Sequence, residues 1–233
     1  MKTYGLLGYP LKNSFSANYF NAKFRSPGTD AVYKNFPLTH IDELQQLLKE
    51  HPEMAGLNVT IPYKEAVIPL LHELSDTAEK VGAVNTIQFV NNKLIGHNTD
   101  VFGFERSLLP LLKPWHQNAL VLGTGGASKA VVHVLGRLGI THTMVSRNGE
   151  AGMLYEEIDR AMIRSHQLVI NCTPLGMFPD VDAFPPIPYE FFTDLHIAYD
   201  LIYLPEETKF LSFAKQHGAV TKKLAAVLGS RRF

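Results

Sequence analysis

Short apolar runs alternate with stretches of helical spacing along most of this chain of 233 residues. Residues 4–8, YGLLG, form an apolar run ended by glycine, and residues 16–24, SANYFNAKF, have helical spacing behind Ser16, a residue type suited to an N-cap. AVYKNFPL at 31–38 reads as a strand and IDELQQLLKEH at 41–51 as a helix. GLNVTI at 56–61 predicts a strand closed by Pro62, and YKEAVIPLLHEL at 63–74 a helix. AVNTIQFV and LIGHNT read as two strands about an Asn91–Asn92 turn, and Asp100 stands where a helix N-cap would, ahead of VFGFERSLLPLL.

KPWHQ at 113–117 interrupts the rhythm with a proline and polar residues and reads as a seam, after which a second alternation begins. It predicts strands over 119–123, 142–146, 167–173 and 197–203, a helix over 127–138, and a helix over 205–218 with Pro205 at its start and Gly218 at its end. Strands alternating with helices imply an α/β fold with mostly parallel sheets, whose ligands gather at the carboxyl ends of strands.

Charge narrows the classes of partner. The 22 basic and 22 acidic residues cancel, and without a run of like charge there is no electrostatic footprint for nucleic acid or an anionic membrane surface. No apolar run approaches the ~20 residues that span a bilayer. Cys172 is the sole cysteine, which excludes an intrachain disulfide, and the residues after Met1 do not read as a secretion signal, so a cytoplasmic protein is expected. The length suits one large or two small domains, and the expected partner is a small molecule.

The most informative stretch is ALVLGTGGASKA at 119–130, an apolar strand that runs into clustered glycines and then a helix. Such a turn lets backbone approach a pyrophosphate at a helix N-terminus. Gly123, Gly125 and Gly126 depart from the strict G-x-G-x-x-G pattern because Ser128 fills the third glycine position. About 20 residues further on, an acid would hold the ribose of NAD. Ser146, Arg147 and Asn148 stand there instead, and the planar fork of Arg147 suits a 2′-phosphate. This favours NADP; no second cation follows closely in NGEAGMLYEE, so the preference is expected to be modest.

Several polar residues of the first half fit either structure or chemistry. Ser14 and Ser16 alternate in NSFS and could bind a carboxylate or polyol, or Ser16 could cap the helix. In NVTIPYK, alternation puts Asn58 and Thr60 on one face and Val59 and Ile61 on the other, with Lys64 in the following turn either as a proton donor or as a surface lysine. Asp100 could cap its helix or pair with Lys64. His97 reads as structural, and Cys172 as a packing residue at a buried strand end.

NSFS, GLNVTIPYK, AVNT, NTDVFGF, GTGGASKA, SRN, NCTPLGM and YDLIY, in this order, resemble the shikimate dehydrogenase family over about residues 4–219. The resemblance implies NADP-dependent interconversion of 3-dehydroshikimate and shikimate in aromatic amino-acid biosynthesis. It implies two α/β domains with a cleft between them: a substrate-binding and catalytic domain over 1–101, completed by 219–233, and a Rossmann-like NADP-binding domain over 102–218. Ser14, Ser16, Asn58, Thr60, Lys64, Asn85 and Asp100 match the substrate shell, with Lys64 and Asp100 the catalytic pair. Gly123, Gly125, Gly126 and Ala127 match the pyrophosphate loop and Ser146, Arg147 and Asn148 the 2′-phosphate site. Thr173, Gly176 and Met177 belong to the wall beside the nicotinamide, and no metal is implied. A monomer or homodimer is expected.

After HGAVTK the family continues into a helix carrying a substrate-contacting glutamine, whereas this chain reads KLAAVLGSRRF. The expectations are weaker shikimate binding or a compensating dimer contact. An NAD-dependent quinate/shikimate dehydrogenase, or a non-catalytic ligand-binding relative, is the alternative.

Overall fold

The computed structural model describes residues 1–11, 15–25, 28–149 and 152–224. The chain divides into two compact units, the first over Met1–Thr99 and the second opening at Asp100.

The first unit contains β1 (Lys2–Gly8), α1 (Phe15–Phe24), β2 (Ala31–Pro37), α2 (Leu44–Glu50), β3 (Met54–Val59), α3 (Tyr63–Ala66), β4 (Glu73–Leu74), α4 (Asp76–Val81), β5 (Thr86–Val90) and β6 (Lys93–His97). Its sheet has the order β2-β1-β3-β5-β6-β4. β1 runs parallel to β2 and β3, and β5 antiparallel to β3 and β6. Leu7, Leu57, Val59 and Ile87 are buried in its core with Leu44 and Val67 from the covering segments. Asn91 and Asn92 have φ of 49° and 62° and join Val90 to Lys93. Two left-handed residues in a two-residue hairpin match the strand twist, which is why the Asn-Asn signal was legible.

Three local readings change. Ser16 lies inside α1 and is buried, so it does not cap that helix. The helix expected over 63–74 stops at Ala66, followed by a 3-10 turn over Ile68–Leu70 and the two-residue β4. Pro69 lacks an N–H and its ring would strike the preceding turn of an α-helix. Asp100 is the first residue of its helix rather than the residue before it.

The second unit contains α5 (Asp100–Leu108), β7 (Asn118–Leu122), α6 (Gly126–Arg137), β8 (Thr141–Ser146), β9 (Met153–Leu154), α7 (Arg160–Ser165), β10 (Leu168–Asn171), β11 (Ile197–Asp200), α8 (Lys209–Gln216) and β12 (Val220–Lys223). Every strand pair in the sheet β12-β11-β10-β7-β8-β9 is parallel. All four residues of β10 and of β11 are buried, the pattern of strands covered on both faces. Chain order reverses between β7 and β10, a topological switch point at whose carboxyl edge such sheets bind ligands.

α8 starts later than Pro205 because Thr208 is its N-cap, with the side chain accepting from the Leu211 N–H. KPWHQ lies within the second unit, between α5 and β7. β12, expected to help complete the first domain, is an edge strand of the second sheet; residues 225–233 lie outside the described residues. Among the described residues no helix is long and apolar enough to cross a membrane.

Candidate active site

In the first unit Asn58, Thr60 and Asn85 lie around the carboxyl end of β3, and Lys64 follows in α3. Asn58 is 2% exposed. Its Oδ1 accepts from Tyr33 Oη at 2.8 Å, and its Nδ2 donates to Thr86 Oγ1 at 3.2 Å. Strand register places Thr86 opposite both Asn58 and His97. Tyr33 is itself stacked on Phe20, with centroids 4.8 Å apart. The amide of Asn58 is therefore held by a rigid aromatic from β2 and a hydroxyl from β5.

Asn85, also buried, is fixed by backbone and side chain together. Its N–H donates to the His97 carbonyl at 3.0 Å and its carbonyl accepts from Val59 N at 2.9 Å. Its Oδ1 accepts from Thr99 N at 2.9 Å and Thr86 Oγ1 at 3.2 Å, and its Nδ2 donates to Thr99 Oγ1 at 3.0 Å. The Lys64 carbonyl accepts from Val84 N at 2.7 Å, which ties α3 to the residue before Asn85. Thr60 donates its N–H to Leu7 and accepts from Tyr63 N, each at 2.9 Å.

The 58–61 alternation holds only in part. Val59 is buried, but Ile61 is 50% exposed because β3 ends at Val59 and the chain turns. His97 shares a hydrogen bond of 3.1 Å with Gln88 across the hairpin, and burial lowers its pKa. Ser14 lies outside the described residues. Lys64 belongs to the first unit and Asp100 opens the second.

In the second unit the glycine turn spans β7 and α6. Gly123 has φ of +99°, and a Cβ there would stand 2.9 Å from Thr173 Cγ2. Gly125 is the N-cap of α6 without a side chain to cap it, and a Cβ there would meet nothing within 4 Å. Ser128, inside α6 at the position where a third glycine usually packs the helix against the strand, is buried and turns its hydroxyl back to the Gly125 carbonyl at 2.7 Å. Gly126 and Ala127 form the first residues of the helix, where N–H groups carry the positive end of the helix dipole. Open space above Gly125 at that end suits a pyrophosphate.

β8 ends at Ser146, which is buried and donates to Asn148 Oδ1 at 3.2 Å, while Arg147 and Asn148 are exposed. A guanidinium with neutral donors, and no carboxylate among the described residues 146–149, fits a 2′-phosphate. β10 ends at Asn171, and the half-buried Cys172 follows it. Thr173 donates both its N–H and its hydroxyl to Asn171 Oδ1, at 3.0 and 2.6 Å. Gly176, with φ of +97°, is buried, and Met177 is exposed beside it. The fit to a phosphorylated dinucleotide thus rests on the open glycine turn, the cationic end of β8 and the loop after β10, all at one edge of one sheet.

Residues 6–87 match the model of the shikimate dehydrogenase substrate binding domain. A curated shikimate dehydrogenase (NADP(+)) of Desulforamulus reducens is 38% identical over 250 residues, covering 96% of this chain and 84% of the relative. This chain belongs to the shikimate dehydrogenase family. Shikimate dehydrogenase of Aquifex aeolicus superposes with a TM-score of 0.84 at 34% identity, covering 96% of this chain and 86% of that one. The Thermus thermophilus enzyme, solved in complex with NADP(H) and shikimate, gives 0.81 at 34% identity, covering 95% and 86%. The architecture is accordingly that of the shikimate dehydrogenases: two α/β domains, an N-terminal substrate domain and a C-terminal Rossmann-like domain.

Within that shikimate dehydrogenase framework, sequence reasoning left Tyr33, Thr86 and Thr99 unremarked, although they hold the two asparagines. AVNT and NTD contained two of them. Tyr33 had no local signal, because it reaches Asn58 across 25 residues of chain.

Proposed function

We propose that this chain is an NADP-dependent shikimate dehydrogenase that interconverts 3-dehydroshikimate and shikimate. The observation that carries the reading is the second sheet. Its order reverses beside an open glycine turn, and Arg147 rather than an acid follows β8. Gly123, Gly125, Gly126 and Ala127 would hold the pyrophosphate, Ser146, Arg147 and Asn148 the 2′-phosphate, and Thr173, Gly176 and Met177 the nicotinamide side. When bound, the cofactor supplies or accepts a hydride. The single cysteine is compatible with a cytoplasmic enzyme.

The first domain takes the substrate. Ser14 and Ser16 bind its carboxylate, and Asn58, Thr60, Asn85 and Asp100 its ring oxygens. Asn58 and Asn85 enter this role with their amides already oriented, which lowers the cost of ordering them on binding. Lys64 donates a proton to the carbonyl oxygen as negative charge develops there and takes it back in the reverse direction. Asp100 is the second member of the proposed catalytic pair.

NAD-dependent quinate oxidation is not favoured, since the curated relatives are NADP(+) enzymes. The test is oxidation of shikimate by purified protein, followed by reduced-nicotinamide absorbance, with quinate and NAD⁺ as parallel arms. Turnover with shikimate and NADP⁺ exceeding every other pairing is expected. Absence of turnover, or a preference for NAD⁺ with quinate, overturns the reading.

A further inference from the structure

Asp200 is a buried carboxylate to which the reaction as described assigns no part. It closes β11 with 0% exposure, and three donors converge on it. Thr208 Oγ1 donates to Oδ2 at 2.5 Å, and Ile202 N and Asn171 Nδ2 donate to Oδ1 at 3.0 and 3.2 Å. A carboxylate only accepts, so it dictates which way the Asn171 amide faces. With its NH₂ turned to Asp200, Asn171 presents Oδ1 to the N–H and hydroxyl of Thr173. Its Nδ2 also approaches the Leu175 carbonyl at 3.4 Å, and Leu175 N donates to Thr173 Oγ1 at 3.2 Å.

The second branch runs through Thr208. Its hydroxyl donates to Asp200 and accepts from Leu211 N, which anchors the start of α8. A Cβ on Gly176 would stand 3.4 Å from Thr208 Cβ, so the far end of the same loop rests on this residue. The near end abuts the glycine turn, where Thr173 Cγ2 leaves Gly123 no room for a side chain.

We propose that Asp200 is a positioning residue for the nicotinamide end of the cofactor site, holding the Thr173–Met177 loop through Asn171 on one side and Thr208 on the other. The proposal rests on the assignment of that loop to the nicotinamide. Burial raises the Asp200 pKa from 3.8 to about 6 against the opposing pull of its three hydrogen bonds, and its charge in turn bears on the phenol of Tyr189. A buried acid is costlier to hold than a neutral residue of its size, and what it supplies here is the orientation it imposes.

The test compares Asp200→Asn, Thr208→Val and Thr208→Ser with the parent. It reads amide hydrogen exchange over residues 171–177 without cofactor, NADP⁺ affinity by calorimetry, melting temperature, and the isotope effect with reduced cofactor deuterated at the transferred position. In Asp200→Asn and Thr208→Val we expect faster loop exchange, weaker NADP⁺ binding, a larger isotope effect, and kcat lower by roughly 10- to 100-fold at little-changed shikimate KM, as a misplaced reacting group demands. Thr208→Ser, which keeps the hydroxyl, restores all four. Parent-like exchange and affinity in the folded variants overturn the proposal. So do losses that merely track melting temperature, as set by a remote core change such as Leu135→Ala. If Asp200→Asn does not fold, Thr208→Val decides, since it leaves the carboxylate in place. Exchange and affinity do not depend on turnover. A parent that binds NADP⁺ but leaves shikimate unoxidised therefore refutes the proposed reaction and not the role of Asp200.

Discussion

Two glycines only two residues apart should respond to the same substitution in opposite ways. At Gly123 an added methyl would lie 2.9 Å from Thr173 Cγ2 and 3.3 Å from the backbone of Cys172 and Thr173, on a residue with φ of +99°. The strained backbone costs ~1–3 kcal/mol and overpacking another ~1–3 kcal/mol. Gly123→Ala should therefore lose about 2–6 kcal/mol, and at roughly 2–4 °C per kcal/mol for a chain of this size its melting temperature should fall by ~4–24 °C. At Gly125, φ is −77° and ψ 178°, open to any residue, and a Cβ meets nothing within 4 Å. Gly125→Ala should change stability by less than about 1 kcal/mol. Its methyl nevertheless projects into the space assigned to the pyrophosphate, so NADP⁺ affinity, read by calorimetry, should fall by more than about tenfold, roughly 1.4 kcal/mol. A Gly125→Ala protein that binds NADP⁺ like the parent would show that the open space is not the phosphate site.

Four further outcomes are expected. Lys64→Ala should lower kcat by ~10²-fold or more with a far smaller change in shikimate affinity, and near-normal kcat in steady-state assays would remove it from proton transfer. Arg147→Ala should weaken NADP⁺ by roughly 10- to 150-fold and leave NAD⁺ unchanged, because a charge-assisted contact is worth ~1.5–3 kcal/mol; equal losses would make the arginine a loop anchor. Tyr155 buries a hydroxyl without a hydrogen-bond partner among the described residues, and burial pushes its pKa up to about 12. Tyr155→Phe should gain about 1 kcal/mol in thermal melts, and a loss would mean the hydroxyl has a partner. The Asp200 carboxyl binds its proton more tightly in the folded chain, so its contribution to stability declines as pH rises from about 4 through about 6. Measured by urea unfolding, Asp200→Asn should gain on the parent by up to about 3 kcal/mol across that window, and a constant difference refutes the buried charge.

What was legible in the sequence was local. The apolar run of β7, the glycines after it and the helical spacing of α6 lie side by side, so their order declares a β-α unit. The Asn91–Asn92 turn announces itself because few residues accept the left-handed conformation. Pro69 was equally visible but was outweighed by the apolar spacing around it, and the expected helix ran too far. The alternation in NVTI runs past the end of β3 at Val59, where the chain turns, and so it made the exposed Ile61 look like a core position. Asn171, Asp200 and Thr208 are separated by 29 and 8 residues, and no periodicity links them. β9 escaped notice because its two residues follow β8 after only residues 147–152, where a parallel crossover usually takes a dozen or more.

The ends of the two sheets have a bearing on how this protein behaves at high concentration. An unpaired strand edge is a template on which another chain can add. Here β4 and β9, each two residues long, close one side of their sheets. β12, VTKK, closes another with Lys222 and Lys223, and β2 carries Lys34 and ends at Pro37. A strand arriving at β4 or β9 finds too few backbone groups for a ladder, and one arriving at β12 meets two lysines. Among the described residues, every margin of the two sheets thus carries a feature that discourages self-association by strand addition.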